Sequence, residues 1–216
     1  MFFSKKSRKA QTEIVSYLIV AGILVFSTGI AYMWGAPIIE KSSSNSKIKM
    51  AQTQLIKIDE KISNILLNGG QSNIVLNIDG ELKIDADSNS IYCSFEIPSS
   101  HVTSEDWIPV SASNMWGVSG TEEESGAGRL GKDDPGVLVV RSAYTGDSYF
   151  ITFRLAYREL DDLTTTGGKK VNLKLTGNNL ASGKTTLFIK KGTPYINGSA
   201  IYGGDLIVVP IELVLK

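Results

Sequence analysis

Between Glu13 and Glu40 the chain runs for 26 residues without a charge, "IVSYLIVAGILVFSTGIAYMWGAPII". As a helix rising ~1.5 Å per residue this segment is roughly 39 Å long, more than the ~30 Å hydrocarbon core of a bilayer requires. It can span a membrane. Lys5, Lys6, Arg8 and Lys9 precede it with no acid among the first ten residues. The positive-inside rule therefore keeps that end cytoplasmic and places the residues after Pro37 on the outer side. Tyr32 and Trp34, near the far end, suit a membrane interface.

Two simple arrangements share these features. One is a plain N-terminal signal anchor. The other is a secretory signal peptide cut after Gly29-Ile30-Ala31, which fits less well because the run stays apolar through Met33 and Trp34 and leaves no polar cleavage region. Neither accounts for Glu13, a carboxylate held at the membrane border, where burial without a partner costs several kcal/mol.

The border itself, "KAQTE", resembles the leader of archaeal type IV pilin-like proteins, which carry a class III, prepilin-type signal peptide. In that family a membrane-embedded prepilin peptidase cuts on the cytoplasmic side, before the apolar segment, and the helix is retained. Lys9, Ala10, Gln11 and Thr12 match the family pattern position by position. The resemblance implies a mature chain beginning at Gln11, with Glu13 as its third residue. In bacterial type IV pilins the matching acid is the fifth, a departure that similar Gln-x-Glu starts in archaeal relatives share. What the resemblance implies physically is an assembly contact: the new amino group at Gln11 of one subunit is neutralised by Glu13 of a neighbour inside a low-dielectric filament core. The match extends from residue 5 to about residue 40.

Ser27, Ala31 and Gly35 recur at four-residue spacing, a small-xxx-small stripe that allows close approach of helices. Pro37 is expected to kink or interrupt the helix, with a Ser/Asn hinge, "KSSSNS", behind it. Helical periodicity then returns over residues 47–67. Ile48, Ala51, Leu55, Ile58, Ile62 and Ile65 form an apolar stripe, with Lys49, Lys57, Asp59 and Lys61 on other faces. Asn68 to Gly70 supply a left-handed stop.

From Gln71 the text changes to short alternating runs separated by Gly, Asn, Asp and Ser. "NIVLNIDGELKID" reads as a hairpin turning at Asp79-Gly80. Further strands are expected in "IYCSFEI", "GVLVVRSAY", "SYFITFRLAYREL", "KVNLKLTG", "TTLFIKK" and "DLIVVPIELVLK". Residues 104–136 form an irregular insertion. The fold class implied is α+β, a long N-terminal hydrophobic and amphipathic helix followed by an all-β sandwich-like head. The expected organisation is a basic leader over 1–10, a hydrophobic helix over 11–40, an amphipathic stalk over 41–70 and an extracellular head over 71–216.

Chemistry-bearing motifs are sparse. "GNNLASGKTT" imitates a P-loop, but five residues separate its glycines where four are needed, and strands flank it, so Asn178 to Gly183 reads as a hairpin turn. Asp85, Asp87, Asn89 and Glu96 have calcium-loop spacing, yet Ser90 replaces the required glycine and no helices flank the loop, which makes a polar turn the better account. Glu122 to Glu124 with Asp133 and Asp134 read as solvated charge. One histidine, His101, and one cysteine, Cys93, build neither a metal site nor an intrachain disulfide. No catalytic grouping, cofactor site or enzyme activity is expected. Without the first ten residues the chain holds 18 basic against 22 acidic residues, which gives nucleic acid no electrostatic footprint. Asn197 heads the one N-glycosylation sequon and is expected on an outer turn.

The expected function is structural: a subunit of a cell-surface filament whose helices pack in the core and whose head contacts other cells, surfaces or an S-layer. Its partners would be like pilin subunits, prepilin peptidase and the pilus assembly machinery, and membrane lipid before assembly. A different class carries the same features: a non-polymerising, membrane-anchored β-sandwich that binds the S-layer, a sugar, or an archaellum or secretion complex.

Overall fold

The computed structural model describes residues 6–110, 127–162, 164 and 166–216, with side chains described from Ile14 onward. The chain divides into two compact units, Met1–Ser43 and Ser44–Lys216. Helix α1 spans Lys6–Asn68. Its C-terminal end leads into strands β1 (Gln71–Asp85), β2 (Ser90–Ile97), β3 (Ile108–Pro109), β4 (Gly128–Arg129), β5 (Gly136–Tyr144), β6 (Tyr149–Tyr157), β7 (Glu159–Asp162), β8 (Gly167–Leu175), β9 (Leu180–Lys191), β10 (Tyr195–Ser199) and β11 (Asp205–Leu215). The expected α+β class, with a long N-terminal helix and a β-rich head, is the class observed.

The expected hinge is helical instead: residues 41–46, like Pro37, lie inside α1. Serine costs a helix only a few tenths of a kcal/mol relative to better formers, and tertiary contact overrides so small a penalty. Here Ser44 is 2% exposed and accepts a 3.5 Å bond from the Ser99 hydroxyl. Three residues on, Lys47 pairs with Asp79 at 3.0 Å. The stop at Asn68 is as read: the Gly69 amide donates to the Ile65 carbonyl at 2.8 Å, and Gly69 and Gly70 have φ of 74° and 88°.

The eleven strands of the described residues belong to one hydrogen-bonded sheet, ordered β3-β5-β6-β2-β1-β9-β11-β8-β7-β4, with β10 added on β11. Most neighbours are antiparallel; β11 with β8 and β4 with β7 are parallel. Alternate residues of the long strands point inward. Leu76 and Ile84 of β1, Ile91 of β2, Phe153 of β6, Leu187 of β9 and Leu213 of β11 share one core with Leu55, Ile58 and Ile62 of α1. The helix stripe is therefore the inner layer and the sheet wraps it, with Ile58 and Ile62 both 0% exposed.

Two expected hairpins are not formed. At Asp79-Gly80, β1 continues and takes a bulge against β9, where the register slips between Ile78 and Glu81. Gly80 is at φ 149°, and a Cβ there would lie 2.7 Å from Phe95 Cβ and against the Ser94 carbonyl. Its glycine serves close strand approach at a bulge, not reversal. At Asn178–Gly183 the chain crosses from β8 to β9 around β11, and Gly183, at φ 69°, already lies in β9. A local turn signal cannot report that a third strand intervenes. Pro210 sits inside β11 at the changeover, where β10 has finished its pairing at Val208 and β9 begins at Ile211.

The real reversal between β1 and β2 is the loop Ala86–Asn89. The Asp85 carboxylate accepts from the amides of Asp87 and Ser88 at 3.1 and 3.2 Å, an Asx-type turn. Asn89, at φ 51°, turns its carboxamide inward. Its Nδ2 donates to the carbonyls of Tyr157 and Val171, both at 2.7 Å, and its Oδ1 accepts from the Leu173 amide at 2.8 Å. One side chain thus ties the end of β6 to β8, strands far apart in the sheet order. Asn89→Ala strands three part-buried backbone groups and leaves at positive φ a residue without the short polar side chain that makes asparagine tolerant of it. The expected loss is about 2–4 kcal/mol, read as a lowered urea midpoint of the detergent-solubilised chain.

Candidate assembly segment and buried polar contacts

Residues 14–34 carry their large apolar side chains outward on every face. Leu18, Ile23, Leu24, Phe26, Met33 and Trp34 all lie between 59% and 77% exposed. By length and composition this helix is a candidate membrane span, and none of its apolar window is buried. Nothing in the sequence offers these residues a polar face, because serine and threonine are the strongest polar groups between the two glutamates. Thr28 satisfies its hydroxyl within the helix, donating to the Leu24 carbonyl at 2.7 Å.

Ser27 and Ala31 are exposed and Gly35 is half-buried, all along one face at four-residue steps. A Cβ on Gly22, Gly29 or Gly35 would meet nothing within 4 Å. The small residues of the segment thus leave open surface. Lys9, Ala10, Gln11, Thr12 and Glu13 lie within α1, and their side chains fall outside those described.

In the head, the expected candidate residues are dispersed. Asn197 is exposed in β10, beside Gly198 at φ 79°, where the pairing with β11 slips a register. Of the calcium-spaced group, Asp85 caps its own turn, Asn89 faces the interior and Glu96 lies along β2 beside Ser148. They do not converge. Asp133 accepts from the Arg129 amide at 2.6 Å, and Glu122 to Glu124 lie outside the described residues. Among the described residues no three of His, Cys, Asp and Glu gather to hold a metal ion. Cys93 is buried at 3% exposure, and burial pushes its thiol up to about 12.

Three polar contacts in the head are not foreshadowed by the sequence patterns. One is the Asn89 tie. A second is Asp59, expected on a helix face other than the apolar stripe. It is half-buried against the sheet, where the Tyr157 hydroxyl donates to its Oδ1 at 2.9 Å. Burial raises Asp59 from 3.8 to about 6, against the Tyr157 hydrogen bond, with Asp134 and Glu60 adding repulsion. Its sequence signal is its place one residue after Ile58, at the margin of the stripe, where a sheet that curls around the helix reaches it. The third is "ELDD" at 159–162, where Glu159 and Asp161 share one face of β7. Acids alternating beside a buried leucine are the available signal.

Comparison with protein-family models, curated proteins and solved structures gave no match.

The Asp59 geometry has a pH consequence. The folded chain retains a proton on Asp59 that the unfolded chain releases near 3.8, so this group's stabilisation is complete below about pH 3.8 and lost as pH rises through about 6. Asp59→Asn keeps an acceptor for the Tyr157 hydroxyl and removes the charge. Urea midpoints should show the variant about 1–3 kcal/mol more stable than the parent near pH 7.5. The two should converge towards pH 4.

Proposed function

We propose that this chain is a structural subunit of a type IV pilus-like cell-surface filament, held in the membrane by residues 11–40 before assembly and packed through the same residues after it. The observation that carries the reading is the outward apolar surface of residues 14–34. Moving that many large side chains out of water is worth on the order of tens of kcal/mol, and an exposed apolar surface of that kind marks a lipid or protein contact. The second half of α1 spends its apolar stripe inside the head. The first half needs an occupant from outside the chain.

Lipid alone would satisfy the apolar faces. It would not reward Glu13, which carries a charge to the border of the segment, nor the Lys9-Ala10-Gln11-Thr12 sequence that fits prepilin cleavage. A filament core accounts for both. Cleavage exposes an ammonium group at Gln11, and a neighbour's Glu13 neutralises it where the low dielectric makes the pair count. Ser27, Ala31 and Gly35 then provide the close approach that helix packing in an apolar surrounding uses. The head is the exterior, and its surface is the part that meets other cells or an S-layer.

The deciding measurement is the N-terminal residue of the protein recovered from its native membrane or cell surface, by intact mass. A chain beginning at Gln11 is expected. A chain beginning at Met1 removes the role assigned to Glu13 and leaves a tethered binding head. Given processing at Gln11, Glu13→Ala should lower the amount in sheared surface filaments by ~10-fold or more, the effect of about 1.4 kcal/mol or more per contact, while the processed subunit accumulates in the membrane.

A further inference from the structure

Glu159 and Asp161 stand two residues apart on the same face of β7 and close on one turn. The Ile201 amide donates to Glu159 Oε1 at 2.8 Å, and the Tyr202 amide donates to Asp161 Oδ2, also at 2.8 Å. The turn they hold, residues 200–204, joins β10 to β11 and is closed internally by Ala200 and Gly204, whose amide and carbonyl bond at 2.9 Å. It presents Ile201 and Tyr202, each about half exposed.

Asp161 is 1% exposed, and its second oxygen, Oδ1, has no hydrogen-bond donor. That oxygen is packed over Gly168, where a Cβ would lie 2.6 Å from it and 2.9 Å from Ala200 Cβ. A buried carboxylate oxygen with no donor carries a desolvation cost that nothing in its surroundings offsets. The Glu159 carboxyl stands on the same face of β7, and the two acids hold adjacent amides of one turn. The closeness of Gly168 and Ala200, both without polar side chains, leaves no coordination shell for a metal ion around Oδ1.

We propose that Glu159 and Asp161 together form a pH-sensitive clasp on the Ala200–Gly204 turn, closed while Glu159 holds a proton and half-released when Glu159 loses it. The release is asymmetric. Two adjacent carboxylates repel, and the buried Asp161 has nowhere to go, so the half-buried Glu159 swings towards water and drops the Ile201 amide. Asp161 keeps Tyr202. Burial, and then the neighbouring Asp161, hold the Glu159 carboxyl above the usual carboxylate range, against the Ile201 amide and the Lys170 charge. The charged and titratable groups around the pair are Lys170, opposite Glu159 on β8, Arg129, opposite Asp161 on β4, Tyr202 of the turn, and Asp205 at the start of β11. Of these, Lys170 and Arg129 favour loss of the proton and Asp205 opposes it.

The test is amide hydrogen exchange at Ile201 and Tyr202 in the full chain in detergent micelles, labelled on isoleucine and tyrosine. It is monitored from about pH 5 to about pH 8 and corrected for intrinsic exchange. Protection of Ile201 should fall by roughly tenfold or more relative to Tyr202 as pH rises. Glu159→Gln keeps an acceptor for Ile201 and cannot ionise, so the ratio of the two protections should become independent of pH. A constant ratio in the parent chain, or the same pH dependence in Glu159→Gln, overturns the proposal. So does recovery of Ile201 protection at high pH on adding calcium chloride, which would assign the site to a metal ion.

Discussion

Everything in the head depends on one packing contact, the stripe of Leu55, Ile58 and Ile62 set into the inner face of a single curled sheet. A sheet of this length has one apolar face that must be covered, and α1 is the one helix among the described residues able to cover it. The helix answers by spending its own apolar side chains at three- and four-residue steps, so that neither surface is satisfied without the other. Removing the helix would expose the inward residues of strands from both halves of the sheet at once.

The apolar make-up of the main core, beside a small second cluster of Val137, Val139 and Ala156, explains why the remaining specificity is written in polar groups. Apolar side chains of suitable volume tolerate exchange, whereas a buried donor or acceptor accepts few partners. The Asn89 carboxamide sets how far the sheet curls, because its three bonds close only when β8 lies beside the end of β6. Tyr157 fixes the helix against the sheet through Asp59, and fixes the same closure through its carbonyl. Both contacts meet at the last residue of β6, so the pose of the helix and the curl of the sheet are set in one place.

The sequence makes the local features readable and the long-range ones not. The apolar stripe of α1 and the stop at Asn68 to Gly70 are legible because helix period and capping chemistry are local. The strand at 136–144 is read to the residue from its apolar run and its flanking glycine. Two-residue β3 and β4 and the wholly exposed β10 carry no periodicity to read. The hairpins expected at Asp79-Gly80 and Asn178–Gly183 fail because glycine marks any unusual backbone, and a bulge or a crossover uses it as readily as a turn. Of the segment assigned to assembly, the uncharged run and its border are plain in the text. The polar pairs are not: Asp59 with Tyr157 lies 98 residues apart, and Glu159 with Ile201 lies 42 apart.

Cys93 gives the molecule an unusual practical property. It is the one thiol in the chain, and it lies within the core where burial keeps it protonated. The thiolate is the nucleophile that attacks maleimides and disulfides, so burial and the raised thiol suppress both reactions in the native fold. A second cysteine introduced on an exposed surface such as Leu67 or Tyr195 would be the sole reactive handle, and labelling at Cys93 itself would count the unfolded fraction.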